Sequence, residues 1–266
     1  MKDSIKKEFD KEERYKLFRR VKDLTHPTIS KKNISEYKIV LEEDLFPVRV
    51  FYPNKVSNIE EVVIYTPGDG RITNCLSKYT DICSELAISF DKLFIAIDYF
   101  EEEYNEEKIE KTIQYLYEEL IRLEKKVYLF GDSNGGTVSL KVADSFEKLE
   151  KIVLFYPLTS GDYTKKSKYE SVVRNYEMHN DVIENINTYS KNYLTSSLPA
   201  KQIKKQLLIL VGTLDPVLEE NKEYAEMCGG EVHVLDFATH GFVSTKDLQL
   251  KNEYETKIKE FLQRGL

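Results

Sequence analysis

Short apolar runs recur along the chain from residue 61 onward: EVVIYTP (61–67), KLFIAIDY (92–99), KVYLFGD (126–132), KIVLFYP (151–157), QLLILVG (206–212) and EVHVLDF (231–237). Hydrophobicity that is continuous rather than alternating is expected of strands buried on both faces of a parallel sheet. Amphipathic stretches of helix length separate the runs. In 105–123, Ile109, Ile113, Leu116, Leu120 and Leu123 fall at helical spacing and predict a helix packed on a face of that sheet. Six such strands with right-handed crossovers make a doubly wound α/β fold. Upstream, YKIVLEED (37–44) and FPVRVFYP (46–53) are β-leaning runs split by an acidic corner, which predicts an antiparallel pair at the sheet edge. The expectation is an eight-stranded, mostly parallel sheet flanked by helices.

Two stretches depart from this alternation. Residues 1–24 set Ile5, Phe9, Leu17, Val21 and Leu24 among dense charges, the pattern of an amphipathic helix that stops at Thr25-His26-Pro27. Residues 160–199 are polar, tyrosine-rich and too long for a simple connection, and insertions of this kind usually cover a site. No internal repeat or low-complexity linker divides the chain. We therefore expect one domain, 1–266, with small helical cap elements at about 1–30 and 160–200.

Composition narrows the function. Hydrophobic residues at 41% and charged residues at 32% suit a soluble globular protein, with 18 tyrosines and 13 phenylalanines as core and pocket material. A net charge of −7 argues against a sequence-independent nucleic-acid binder, which needs a clustered positive field. The charged N-terminus lacks the apolar core of a secretory signal, and no later run approaches the roughly 18 residues of a membrane span, so the expected location is cytoplasmic. Cys75, Cys83 and Cys228 are odd in number and lack paired ligand spacing, which speaks against a disulfide framework or a zinc cluster.

The chemistry centres on VYLFGDSNGGTVSL (127–140). G-x-S-x-G directly after a strand describes a nucleophile elbow, in which Gly131 and Gly135 leave room for a strained Ser133 whose Oγ stands clear of the sheet. A helix starting near Asn134 adds unpaired backbone N–H groups and a positive dipole end, which favour a negative charge developing on a bound carbonyl oxygen. Taken alone, the pattern also fits a glycine-rich turn or an anion-binding loop, although the phosphate-loop lysine and spacing are absent.

A serine hydroxyl needs a base and an orienting acid. Of the four histidines, His26 lies in the N-terminal break, His179 in the insertion and His233 inside the last strand, whereas His240 in FATHGF follows a strand end. Asp215 in LVGTLDPVLEEN also follows a strand end, as does the runner-up Asp98. The chain order Ser133, Asp215, His240 favours Asp215, because nucleophile, acid, base is the order found when this elbow carries a triad. For either acid the alternative is a helix N-cap, and for His240 a satisfied loop histidine.

GDSNGG, together with AIDYFEEEYNEEKIEKTIQYLYEEL, LDPVLEENKEYA and HGF at 240–242, resembles the α/β-hydrolase superfamily, and within it the hormone-sensitive-lipase-like esterases, over most of the chain after about residue 37. The resemblance implies hydrolysis of small-molecule carboxylic esters with short or medium acyl groups, no cofactor and no metal, and Ser133, Asp215 and His240 as nucleophile, acid and base. One place departs from the family. Its oxyanion loop reads HGGG, where this chain has Pro67-Gly68-Asp69-Gly70 followed by Arg71. Backbone amides of Gly68, Asp69 and Asn134 could still converge on an oxyanion, since such donors require no particular side chain. Asp69 must then turn outward or pair with Arg71. A serine peptidase or amidase on small substrates is the second reading, a catalytically weak small-molecule binding protein the third, and an interaction module the last. The sequence leaves a homodimer open.

Overall fold

The computed structural model describes residues 36–39, 41, 44–54, 59–68, 76–99, 105–159 and 206–265. Its strands are β1 (Glu36–Ile39), β2 (Val48–Phe51), β3 (Glu61–Thr66), β4 (Leu93–Ile97), β5 (Lys126–Asp132), β6 (Leu149–Phe155), β7 (Gln206–Gly212) and β8 (Glu231–Leu235). The helices among these residues are α1 (Leu76–Phe90), α2 (Glu106–Arg122), α3 (Ser133–Ala143), α4 (Leu218–Cys228) and α5 (Leu248–Gln263). All eight strands join one sheet in the order β1-β2-β4-β3-β5-β6-β7-β8. β1 runs antiparallel to β2, and β2 to β4, while the remaining pairings are parallel. The fold is α/β with a mostly parallel sheet, and the antiparallel pair sits at one edge as its sequence pattern predicts. The expected cap elements at 1–30 and 160–200 lie outside the described residues, as do His26, His179 and Cys75.

The apolar runs are continuous because both sheet faces are covered. Val62, Val63, Ile64 and Tyr65 of β3, Leu93, Phe94 and Ile95 of β4, and Leu207 to Val211 of β7 are all buried. α2 lays Ile109, Ile113, Leu116 and Leu120 into this core. Asn105 fixes its start by accepting the Lys108 N–H at 2.9 Å, and Glu106 and Glu107 in the first turn complement the helix dipole. No helix among the described residues is long and apolar enough to cross a membrane.

Strand order also decides where a site can form. After β3 the chain proceeds to β4 on one side, and after β5 to β6 on the other, although β3 and β5 are neighbours. The loops leaving their carboxyl ends therefore diverge and open a crevice, the place where α/β sheets bind ligands.

Two charged groups, Lys151 buried and Glu61 part-buried, lock the far side of the molecule. The Lys151 ammonium of β6, with its residue only 3% exposed, donates to the carbonyls of Phe261 at 2.7 Å, Leu262 at 3.3 Å and Arg264, and so caps the end of α5. Burial, and then the Arg264 charge, lowers the pKa of that ammonium. At the amino edge, Glu61 of β3 accepts the Tyr128 hydroxyl of β5 at 2.8 Å and pairs with Lys92 before β4. Burial alone would raise the Glu61 carboxyl, but the Lys92 and Tyr128 hydrogen bonds and the Lys92 and Lys126 charges outweigh it, holding the group below its usual 4.5.

Because the folded-state value of Glu61 is depressed, its ionised form stabilises the fold above the usual 4.5, and that contribution disappears as pH falls through the lowered value. Glu61→Gln is therefore expected to be less stable than wild type in urea titrations at neutral pH. The gap should narrow in titrations carried out at progressively acid pH; a gap independent of pH would contradict the assignment.

Candidate active site

Ser133 sits at the junction of β5 and α3 with φ of 50°, in the left-handed region that side chains larger than glycine rarely occupy. The helix can begin so abruptly because Gly135 lies against the end of β3: a Cβ there would meet the carbonyl oxygens of Thr66 and Pro67 at 2.2 Å. The elbow is thus pressed onto the neighbouring strand, and Ser133 is left at the crevice.

The structure brings three distant side chains together. His240 Nε2 lies 3.0 Å from Ser133 Oγ, and His240 Nδ1 lies 3.1 Å from both Asp215 Oδ1 and Oδ2. A carboxylate can only accept, so Nδ1 carries the hydrogen and Nε2 is left to accept the serine proton. Asp215 is fully buried, while the His240 side chain is 11% exposed. Asp215 Oδ1 also accepts the Val217 N–H at 3.0 Å, and the loop that carries it is fixed by Leu214 N–H donating to the Ala238 carbonyl at 3.0 Å.

His240 is positioned by its neighbours in the chain. Gly241 adopts φ of 86°, which turns the chain after the imidazole, and Phe242 then inserts among Phe155, Tyr156 and Tyr254 at centroid distances of 6.1, 5.0 and 5.8 Å. Tyr156 at the end of β6 lies against the imidazole, with centroids 4.5 Å apart and planes at 53°. Burial first, and then the Asp132 and Asp215 charges, pushes the Tyr156 phenol well above its usual range.

Asp98, the runner-up acid, and His233 do different work. Asp98 Oδ2 accepts Arg49 Nε at 2.9 Å, which ties the end of β4 to β2. His233 remains in β8, with Nε2 3.3 Å from Glu253 of α5. Among the described residues no cluster of His, Cys, Asp and Glu could hold a metal ion.

Gly68, expected to offer its amide to an oxyanion, donates that N–H to Asp132 Oδ1 at 2.8 Å. Asp132 is the residue before the nucleophile, 3% exposed, and it also accepts the Tyr65 hydroxyl on Oδ1 at 2.8 Å and the Tyr79 hydroxyl on Oδ2 at 2.9 Å. A buried carboxylate must collect donors, and the first amide after β3 is one of them. Tyr99 adds a hydroxyl on the Pro67 carbonyl. Burial, followed by the Asp132 charge, raises the Tyr65 and Tyr79 phenols well above their usual range, so both remain donors. Asn134 occupies the first turn of α3, where the helix supplies no acceptor for its amides. Asp69, Gly70 and Arg71 lie outside the described residues, and with them the question of where the Asp69 carboxylate points.

Sequence reasoning missed Asp132, Tyr65, Tyr79 and Tyr156. A signal for Asp132 existed: an acidic residue at the last position of a central strand lands in a buried layer and must be paired.

A family model described as alpha/beta hydrolase fold matches residues 63–244, more than half of the chain. No curated protein matches the sequence. Among solved structures, the chain is similar to a thermostable carboxylesterase cloned from a metagenomic library, at 18% identity and a TM-score of 0.69, over 95% of this chain and 97% of that one. It is also similar to carboxyl esterase 2 of the mycorrhizal fungus Tuber melanosporum, at 17% identity and a TM-score of 0.70, over 89% and 88% of the two chains. A third similarity is to the esterase LipW of Mycobacterium marinum, at 17% identity and a TM-score of 0.68, over 95% and 88%. At these identities the likeness is one of fold.

Asp132→Asn replaces an acceptor facing the Tyr79 hydroxyl by a donor and removes the charge that strengthens the other two bonds. It should lower unfolding free energy by about 1–3 kcal/mol, read as a reduced denaturant midpoint at unchanged m-value. A midpoint equal to wild type would show that the carboxylate does not hold the loop.

Proposed function

The chain belongs to the alpha/beta hydrolase fold family, and on that footing we propose that it is a serine hydrolase cleaving carboxylic esters of short to medium acyl chains through an acyl-enzyme intermediate. The observation that carries this reading is the hydrogen-bonded line from Ser133 Oγ to His240 Nε2 at 3.0 Å and from His240 Nδ1 to Asp215 at 3.1 Å. That the similar solved structures include carboxylesterases supports the ester class.

Each step uses protein groups and water. Ser133 Oγ attacks the ester carbonyl carbon as its proton passes to His240 Nε2, and the carbonyl electron pair becomes an oxyanion. Asp215 keeps Nδ1 protonated and stabilises the imidazolium. The Asn134 amide, beside the positive end of α3, and the Asp69 amide are the donors we assign to the oxyanion. Gly68 acts behind them by keeping its loop on Asp132. Collapse of the tetrahedral adduct expels the alcohol, which takes the proton from His240 Nε2. Water, activated by the same nitrogen, then releases the acid. The diversion of the Gly68 amide onto Asp132 favours, as a second reading, a catalytically weak small-molecule binding protein on the same fold.

Ser133→Ala should reduce turnover of a chromogenic short-chain ester by at least about 10⁴-fold while leaving the unfolding curve in place; wild-type turnover in this variant would remove Ser133 from the chemistry. A fluorophosphonate should label wild type but not the variant, and a wild type that stays unlabelled would favour the binding protein. Across nitrophenyl esters from acetyl to decanoyl, turnover is expected to peak at a short or medium chain. A rate still rising at decanoyl would rule out that preference.

A further inference from the structure

We propose that Asn221 is a positioning residue: its side-chain amide joins the Asp215 turn to the strand exit behind His240, and so keeps the imidazole in line between Asp215 and Ser133. The proposal rests on the serine-hydrolase reading given above. Asn221 lies near the start of α4 and is fully buried. Nδ2 donates to the carbonyl of Pro157 at 2.8 Å and to that of Val217 at 2.9 Å, which uses both of its hydrogens. The Val217 carbonyl also accepts the Asn221 backbone N–H at 3.0 Å, so one residue grips that peptide at two points.

Both acceptors lead to the imidazole. On one side, the Val217 N–H donates to Asp215 Oδ1 at 3.0 Å, the oxygen that in turn lies 3.1 Å from His240 Nδ1. On the other side, Pro157 follows Tyr156, whose ring lies 4.5 Å from the imidazole. Tyr156 holds φ of 39°, a conformation that a bulky residue keeps only where its surroundings fix it. Its N–H donates to the Leu210 carbonyl at 2.7 Å, and the carbonyl of the next residue, Pro157, is the one Asn221 holds. One amide therefore sets the distance between the carboxylate at Nδ1 and the aromatic wall on the ring face.

The third polar atom of the side chain supports this role. Among the described residues, Asn221 Oδ1 is buried without a hydrogen-bond partner. An unpaired buried acceptor is costly, so if filling space were the only task, an aliphatic residue of similar volume would serve better. The function of the amide lies in its two donations.

The test compares Asn221→Leu and Asn221→Ser with wild type, each alone and combined with Asp215→Asn, at a temperature where unfolding curves show the proteins folded. Asn221→Leu should lower kcat for the chromogenic ester at least about 10-fold with KM within about twofold, the pattern of a lost transition-state interaction. In the Asp215→Asn background the same substitution should change kcat less than about twofold, because residues acting through one another are not additive. The proton resonance of His240 Nδ1–H should shift or broaden in Asn221→Leu. Unchanged kcat, equal losses in both backgrounds, or a loss of kcat with an unchanged resonance would each overturn the proposal. Asn221→Ser keeps one donor hydrogen and carries the same comparison if the leucine variant does not fold. The resonance needs no turnover, so it reads the role of Asn221 even if a fully active Ser133→Ala were to defeat the ester reading.

Discussion

A serine fixed with left-handed backbone at the end of a central strand is the constraint around which the rim is built. Such a conformation costs on the order of 1–3 kcal/mol and survives only if its surroundings determine it. Here they do so from both sides of the residue. Upstream, the Asp132 carboxylate is anchored by Tyr65, Tyr79 and the Gly68 amide. Downstream, Gly135 brings the new helix against the carbonyls of Thr66 and Pro67. Relaxing Ser133 would require lifting the helix from β3 or unpairing a buried charge, so the strain is held by packing and electrostatics together.

The rim is also where the protein concentrates its buried charge. Asp132 and Asp215 are both almost inaccessible to water, and they differ in what satisfies them. Asp132 is paired with a loop amide and with two tyrosines, whose protons are held more firmly for being buried. Asp215 is paired with one backbone amide and with an imidazole, the side chain best suited to exchange a proton near neutrality. Of two similar buried carboxylates, one ends β5 and the other follows β7, and the first meets tyrosines and an amide where the second meets an imidazole.

Much of this was legible in the sequence because burial on two sheet faces leaves a plain mark. Runs such as EVVIYT and QLLILVG became strands with nearly every residue buried, and the acidic corner at Glu43-Asp44 preceded the antiparallel member β2. The three side chains that meet at the crevice could be picked out because strand ends in a parallel sheet all point to one edge. The rest depends on which atoms reach one another, and residue type alone does not carry that. Asp98 and Asp215 both follow strands, yet the first meets Arg49 and only the second meets an imidazole. The Gly68 amide could be placed near the site but not aimed, since its direction is decided by the carboxylate of Asp132. Asn221 reads as an ordinary helix residue until its amide is seen bridging two chain segments.

The ammonium of Lys151 finds its acceptors 110 residues and more further along the chain, at the Phe261, Leu262 and Arg264 carbonyls. Until α5 is in place, the ammonium near the start of β6 lacks the three carbonyls that cap it. Seating α5 and burying this cation are therefore a single event, and neither element reaches its final packing without the other.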